Sequence, residues 1–380
     1  MPKFYELSPC ARREYLGDSD CLERLAGQIS AETDLLDRMS ENVIGAWRLP
    51  IGVVPSLVIN GKAHRIAMAT EEPSVVAAAC RVSRLANACG GITVAVDTPV
   101  TAAQIMGIIE PALARTAARW ISAHAQALLQ TANRCDPMLC SCGGGAFDIV
   151  PQILSPDAES EETFLVSKLF VHTAEAMGAN AVNTMAEAIQ AVLAESLSGY
   201  TPGMAILTND SAGRMVHASL VIPHQVFGTF AHLDGRDIST RIARATAFAA
   251  RSPERAVTHN KGILNGMIAA ALPLGQDTRA LSAACLHHAN KSGSHLPLTH
   301  AVNDAETLTF RMEAPVPAGF VGGFRKNPAV AAAFEFDGIA SYDELCALLA
   351  SVGLVQNLGA LWALVTEGIQ AGHMRLHSRK

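Results

Sequence analysis

The sequence predicts a mixed α/β protein in which a smaller α+β unit, near residues 102–213, is inserted into a larger one. Three observations lead there. The chain has 380 residues, enough for two domains that each bury a sizeable core. Short runs that alternate apolar and polar residues, the period of a half-buried strand, are interspersed with Ala-rich stretches of helical period. From about Thr101 the texture changes, to a long Ala-rich helix followed by Gly-rich turns.

Composition narrows the function classes. With 49% hydrophobic and 17% charged residues the chain reads as globular rather than disordered. A net charge of -6 argues against a nucleic acid or an acidic membrane held by bulk charge. No run approaches the ~18 apolar residues of a membrane span, and Met1 to Glu6 lack the apolar core of a signal peptide. A cytoplasmic protein is therefore expected. The nine cysteines suit reduced thiols, since Cys80, Cys285 and Cys346 fall in apolar helical settings. Cys135, Cys140 and Cys142 cluster without a zinc spacing, so no metal is expected.

In chain order, residues 5–40 read as short amphipathic helices. Val53 to Ile59 and Lys62 to Ala69 are β-rich runs around Asn60-Gly61, the pair that best tolerates a type I′ turn, so a hairpin is predicted. Pro73 begins a helix reaching Ala88, where its missing N–H costs nothing. This places Glu72 at or beside the N-cap. The helix dipole favours its ionised form there, so plain capping competes with a proton-donating role that burial would have to enable. A short strand follows at Ile92 to Val96, then a helix over Ala112 to Ala132. Next come Asp136, the triple glycine at Gly143, and an alternating strand from Thr163 to Val171. A helix containing Met177, Ala181, Met185, Ala188 and Val192 on one face leads to strands near Met204 to Thr208 and Met215 to Ile222.

Beyond a short helix at Ile242 to Ala250 lies Arg-Ala-Val-Thr-His-Asn-Lys-Gly-Ile-Leu-Asn-Gly, 255–266. It sets Lys261 among Asn260, Gly262, Asn265 and Gly266, with Ile263, Leu264, Met267 and Ile268 on the apolar side. Two readings stay open: a helix start with an exposed lysine, or an electrophilic lysine that polarises a carbonyl. A helix over Ala280 to Asn290, a strand over Glu306 to Met312 and two helices, Tyr342 to Val352 and Leu358 to Ala371, complete the pattern. No G-x-G-x-x-G follows a strand, so a standard Rossmann domain is not expected.

Several pieces in order resemble one family. They are Glu-Asn-Val-Ile-Gly (41–45), Glu-Glu-Pro-Ser (71–74), Ala-Met-Gly-Ala-Asn with Val-Asn-Thr-Met-Ala-Glu-Ala (176–188), Thr-His-Asn-Lys-Gly-Ile (258–263), Gly-Gln-Asp (275–277), Val-Gly-Gly (321–323), Gln-Asn-Leu-Gly-Ala (356–360) and Gly-His-Met (372–374). Together they resemble class II 3-hydroxy-3-methylglutaryl-coenzyme A reductase, the soluble bacterial form, over nearly the whole chain.

The resemblance implies a large substrate and coenzyme A domain with a central helix (1–101 and 214–371), a small ferredoxin-like NAD-binding domain (102–213), and a C-terminal flap beginning at 372–380 and here absent or truncated. The implied reaction interconverts HMG-CoA with mevalonate and coenzyme A by two hydride transfers. By the family pattern Lys261 stabilises the developing oxyanion, His373 protonates the departing thiolate, Glu72 is the acid for aldehyde reduction, and Asp277 completes the lysine–glutamate network. Ser74, Asn209, Arg255 and Asn265 hold the hydroxymethylglutaryl group. Met177, Gly178, Ala179 and Asn180 carry the dinucleotide. Asp136 matches the acid on the adenosine ribose, which favours NAD over NADP because a carboxylate repels a 2′-phosphate.

Three departures stand out: Glu175 replaces the family's aspartate, the chain stops seven residues after His373, and Lys261 and Asp277 are too far apart for one unbroken helix. Either Gly262, Gly266 and Pro273 break that helix or the aspartate arrives by another path. The resemblance further implies a homodimer with shared active sites, with a hexamer as a larger assembly. Rival readings are a catalytically incomplete coenzyme A or dinucleotide binder lacking the flap, and a nicotinamide-dependent reductase of another acyl-CoA.

Overall fold

The chain divides after Ile51 in the computed structural model, which describes residues 3–16 and 31–368. The first unit contains helices α1 (Pro9–Leu16) and α2 (Ala31–Asp37). The buried Arg12 holds it together, donating to Asp37 and to the carbonyls of Phe4, Tyr5 and Val43.

The second unit opens with the hairpin β1 (Ile51–Ile59) and β2 (Lys62–Ala69). Asn60 and Gly61 take φ of 49° and 81°, the two positive angles that the I′ turn requires. Helix α3 (Pro73–Ala88) and strand β3 (Thr93–Val96) follow. The chain then runs through β4 (Val100–Ile109), α4 (Pro111–Ala123), α5 (Ala125–Arg134), α6 (Pro137–Ser141), β5 (Gly145–Leu154), β6 (Phe164–His172), α7 (Ala179–Ser196) and β7 (Tyr200–Leu207). Strands β4 to β7 form an antiparallel sheet in the order β5-β6-β4-β7. With its helices this is the βαββαβ arrangement of ferredoxin-like folds. Its core, from Ala103 to Tyr200, draws only on this segment.

Strand β8 (Met215–Pro223), helices α8 (His224–Ala231), α9 (Gly235–Ala249), α10 (Pro253–Ala271) and α11 (Thr278–Asn290), strands β9 (Thr299–Asn303) and β10 (Thr307–Pro315), and helices α12 (Pro328–Asp337) and α13 (Tyr342–Val365) return to the larger core. The sheet β3-β8-β10-β9 turns Val216, Ala218, Leu220 and Ile222 inward with Leu308, Phe310, Met312 and Ala314. Residues before 97 and after 215 build this core around α13. Leu345, Leu348, Leu354, Leu358 and Leu361 of α13 are all fully buried. By length and composition α13 could cross a membrane, yet it is mostly enclosed by the protein, as expected of a core helix that is apolar all round.

Four expectations are revised. The segment over Ala112 to Ala132 is two helices, because His124 leaves helical geometry at φ -104° and ψ 12°. Tyr342 to Val352 and Leu358 to Ala371 are not two helices: one helix runs unbroken from Tyr342 to Val365. Gly353 and Gly359 lie inside it as contact points rather than breaks. The stretch beginning at Thr101 is a strand, β4, whose apolar residues on both faces obscured its period of two. Finally, Lys261 is not at a helix start. It lies mid-helix in α10, which Ser252 caps by accepting from Arg255 N at 3.3 Å. The thiol expectation holds where it can be read: the cysteines among the described residues are free, with Cys285 and Cys346 buried.

Candidate active site

Helix α10 presents two polar faces. Its inward face carries His259 and Asn260, both essentially without exposure. Asn260 Nδ2 donates to the Leu296 carbonyl at 2.8 Å, and its Oδ1 accepts from Leu298 N at 2.9 Å. His259 Nε2 bonds Thr299 Oγ1, which donates to Asn357 Oδ1 at 2.8 Å, and Asn357 Nδ2 returns to the His259 carbonyl at 3.2 Å. These bonds tie α10 to α13 and to the strand opening at Thr299. Burial, with the Arg255 charge adding to it, pushes the His259 pKa down to about 4, so its imidazole is neutral at pH 7.

The rotation so fixed turns Lys261 outward, where it is exposed. With the Asn265 amide oriented to satisfy both its atoms, its oxygen accepts from Lys261 Nζ at 3.2 Å and its nitrogen donates to the Lys261 carbonyl at 3.2 Å. Arg255, one and a half turns earlier, is half-buried, and burial lowers its pKa. It nevertheless remains a cation at neutral pH.

All three sequence-predicted site carboxylates, Glu72, Asp136 and Asp277, are helix caps. Glu72 is the N-cap of α3, its Oε1 accepting from Ser74 N at 3.1 Å, so Glu72 and Ser74 sit together. Asp277 is the N-cap of α11 and accepts from Arg279 N and Ala280 N, each at 3.0 Å, with Arg279 Nε at 3.3 Å. Partial burial raises the Asp277 pKa, but the Ala280 amide and Arg279 outweigh it, and the pKa is lowered overall. The question of how the chain passes from Lys261 to Asp277 is resolved. Neither Gly262 nor Gly266 breaks α10. The helix ends at Leu272, and Gly275 turns the chain at φ 63° into α11.

The segment before α7 makes a tight, heavily bonded turn. Gly178 is its N-cap at φ 84°, without a capping side chain, so the amides of the first helical turn are left open to a ligand. A Cβ on Gly178 would lie 2.4 Å from Thr173 Cγ2, and Gly319 passes against Met177 N. Such a bare, uncapped turn fits a pyrophosphate. Ala179 and Asn180 begin the helix itself, Asn180 exposed. The carbonyl of Glu175 accepts from Phe320 N at 2.7 Å. The side chain reaches the larger core as well, Glu175 Oε1 accepting from Tyr342 N at 3.5 Å.

Asp136 is the N-cap of α6, accepting from Leu139 N at 2.9 Å. Asn209 is exposed in the turn after β7, beside a cavity of about 310 Å³ lined by Lys168, Phe170, Thr208, Asp210 and Ser211. His373 lies outside the described residues. A larger cavity of about 520 Å³, lined by His217, His288, His300, Arg311 and Glu313 on the outer face of the β8–β10 sheet, includes none of the predicted site residues.

Sequence reasoning missed His259, Asn260 and Asn357, although each lies inside a motif that carried the resemblance. Arg214, a lone arginine at the start of a strand, gave no signal in the sequence at all.

A family model described as Hydroxymethylglutaryl-coenzyme A reductase matches residues 9–378. The 3-hydroxy-3-methylglutaryl-coenzyme A reductase of Archaeoglobus fulgidus is 38% identical over an alignment covering 100% of this chain and 86% of that protein. A probable reductase of the same name from Borreliella burgdorferi is 32% identical, over 92% of this chain and 79% of its own. Among solved structures, the class II reductase of Streptococcus pneumoniae bound to NADPH in open conformations superposes with a TM-score of 0.83 at 36% identity, covering 96% of this chain and 99% of that one. With its sequence matched almost end to end and its fold shared with a solved class II enzyme, the chain belongs to the hydroxymethylglutaryl-coenzyme A reductase family and is an oxidoreductase of that kind.

Proposed function

We propose that the chain interconverts HMG-CoA with mevalonate and coenzyme A by two successive hydride transfers, using NAD(H) in preference to NADP(H). The observation that carries this reading is the clamped geometry of α10. Its inward polar residues fix the helix rotation, and Lys261 with Asn265 is thereby held on the outward face. A nicotinamide dinucleotide, when bound, supplies the hydride. The protein's own groups then handle charge and protons. Attack on the thioester carbonyl builds an oxyanion, and the ammonium of Lys261 stabilises it. His373 protonates the departing thiolate, and Glu72 supplies the proton for aldehyde reduction. Asp277 sets the charge around the pair. Arg255, Ser74, Asn209 and Asn265 hold the hydroxymethylglutaryl group, Arg255 through the fork that suits a carboxylate. Met177, Gly178, Ala179 and Asn180 receive the pyrophosphate, and Asp136 the adenosine ribose.

In this reading residues 102–213 are the cofactor domain, 1–101 and 214–371 the substrate and coenzyme A domain, and 372–380 the start of the flap. The protein is cytoplasmic and forms a homodimer with shared sites, which can assemble further into a hexamer. The outward, exposed setting of Lys261 and the local bonding of Asp277 support a site completed by a second copy.

The test is nicotinamide absorbance with mevalonate, coenzyme A and either NAD or NADP. Lys261→Ala should lower kcat by ~10²–10³ with little change in Tm, the side chain being exposed. Normal turnover in that variant would end the assignment. For Asp136 the informative change is Asp136→Asn, because asparagine caps a helix as well as aspartate does. It keeps α6 and removes the charge, so the preference for NAD over NADP should fall. An unchanged ratio would remove Asp136 from the site.

A further inference from the structure

The guanidinium of Arg214 is 1% exposed, and every group it bonds is uncharged. Nε donates to Thr101 Oγ1 at 3.0 Å. Nη1 donates to the Ala318 carbonyl at 3.1 Å and to the Tyr342 hydroxyl at 3.4 Å. Nη2 donates to Thr173 Oγ1, to the Ala176 carbonyl at 3.0 Å and to the Met177 carbonyl at 2.8 Å. Its ion-pair distance contains no carboxylate among the described residues. Taking a cation out of water without a counter-charge is expensive, and proteins retain such groups where dipoles satisfy them and function uses the charge.

Two consequences follow from where those bonds go. Thr173, Ala176 and Met177 are the turn that leads into α7, and Arg214 draws their oxygens inward. The first-turn amides that follow Gly178 have no capping side chain. Thr101 reinforces the arrangement by donating to the Met177 carbonyl at 3.3 Å. The guanidinium also sits beside the N-terminus of an eighteen-residue helix, whose dipole is positive at that end. Two positive fields therefore converge on one uncapped turn, whose own carboxylate, Glu175, is directed to the start of α13, its Oε1 accepting from Tyr342 N at 3.5 Å. The remaining Arg214 partners, Ala318 and Tyr342, lie in the larger core and at the first residue of α13, so the same side chain keys the turn to the substrate-side framework.

We propose that Arg214 is the positioning residue of the dinucleotide turn: it fixes the shape of 173–178, adds the positive charge that favours the pyrophosphate, and registers the turn against the larger core. This rests on the reading of Met177 to Asn180 as the dinucleotide site, and the experiment separates the two.

Steady-state kinetics of Arg214→Lys and Arg214→Gln are compared with those of Gly178→Ala. Arg214→Gln should raise KM for the dinucleotide at least about tenfold while KM for HMG-CoA stays within about twofold, and Arg214→Lys, which keeps the charge but loses the fork, should recover part of the loss. An equal rise in both KM values, or an unchanged dinucleotide KM in a folded variant, overturns the proposal. If Gly178→Ala leaves the dinucleotide KM unchanged, the site reading itself fails. If Gly178→Ala raises it and the Arg214 variants do not, only the role of Arg214 fails. Should the arginine variants not fold, Thr101→Val removes one acceptor at constant shape. A several-fold rise in dinucleotide KM alone then supports the proposal, and no rise overturns it.

Discussion

Asp337 and His259 are both buried titratable side chains, and they pull stability in opposite directions. Burial pushes the Asp337 carboxyl up to about 7, against the bond from Ala67 N and the charge of Arg65, which lower it. The folded chain therefore holds this proton more tightly than the unfolded chain, whose pKa is near 3.8. Stability from Asp337 is full below that value and is lost as pH rises through 7. His259 behaves the other way. Its folded pKa of about 4 lies below the ordinary 6.5, so stability is present above 6.5 and is lost as pH falls toward 4.

Asp337→Asn keeps an acceptor for Ala67 N and removes the charge. Denaturant titrations at pH 8 should find it more stable than the parent by about 1–3 kcal/mol, with the two proteins converging near pH 4. The variant should also reveal the His259 slope, a rise in stability from pH 4 to 6.5 that Asp337 masks in the parent. Parallel curves for parent and variant would refute the assignment. None of this was legible in the sequence, since a carboxylate at the end of an Ala/Phe helix does not announce its burial. The position of Glu72 as a helix cap, by contrast, was legible from the proline that follows it.

At the scale of elements, the α10–α13 crossing accounts for one of the two glycines that follow the lysine, Gly266, and not for Gly262. A Cβ on Gly266 would fall 2.7 Å from Gln356 Cβ and 3.0 Å from the Val352 carbonyl, whereas one on Gly262 would meet only Asn357 Nδ2 at 3.9 Å. Across the same contact, a Cβ on Gly353 would press on Met267 and Ile263. The two glycines, equivalent in the sequence, should respond oppositely. Gly262→Ala gains helix propensity, up to ~1 kcal/mol, and should raise Tm. Gly266→Ala should cost ~1–3 kcal/mol through overpacking and lower turnover as α10 shifts. Stabilisation by both would mean that the helices are not held so close.

The hairpin and the start of α3 were legible because Asn60-Gly61 and Pro73 are local signals. Helix continuity at Gly353 and Gly359 was not, because it depends on what packs across the helix. Strand β4 escaped notice because apolar residues stand on both its faces, although only one face is fully buried.

For the whole molecule, the two cores differ in how they are drawn from the chain. The smaller is continuous in sequence, and the larger is assembled from both ends around α13. Ile105 is fully buried in the smaller one, and Ile105→Ala should cost ~2–5 kcal/mol there. Hydrogen exchange should accelerate in the amides of β4 and β6 and leave those of β8 and β10 nearly unchanged. Equal acceleration in both sheets would show that the cores unfold as one. The start of the smaller core was legible from the change of texture at Thr101. Its attachment to the rest through Arg214 was not, because that side chain bonds carbonyls and hydroxyls far away in sequence.

The central position of α13 also sets a schedule for biosynthesis. Roughly 250 residues separate β3 from this helix, and a ribosome adding ~5–20 residues per second takes on the order of tens of seconds to bridge them. Throughout that interval the face of α3 that packs on α13 is made but has nothing to cover it, while the continuous core can close as it emerges. That face of α3, translated early, is thus among the last to be shielded, which makes the nascent chain a client for holding chaperones until α13 has been translated.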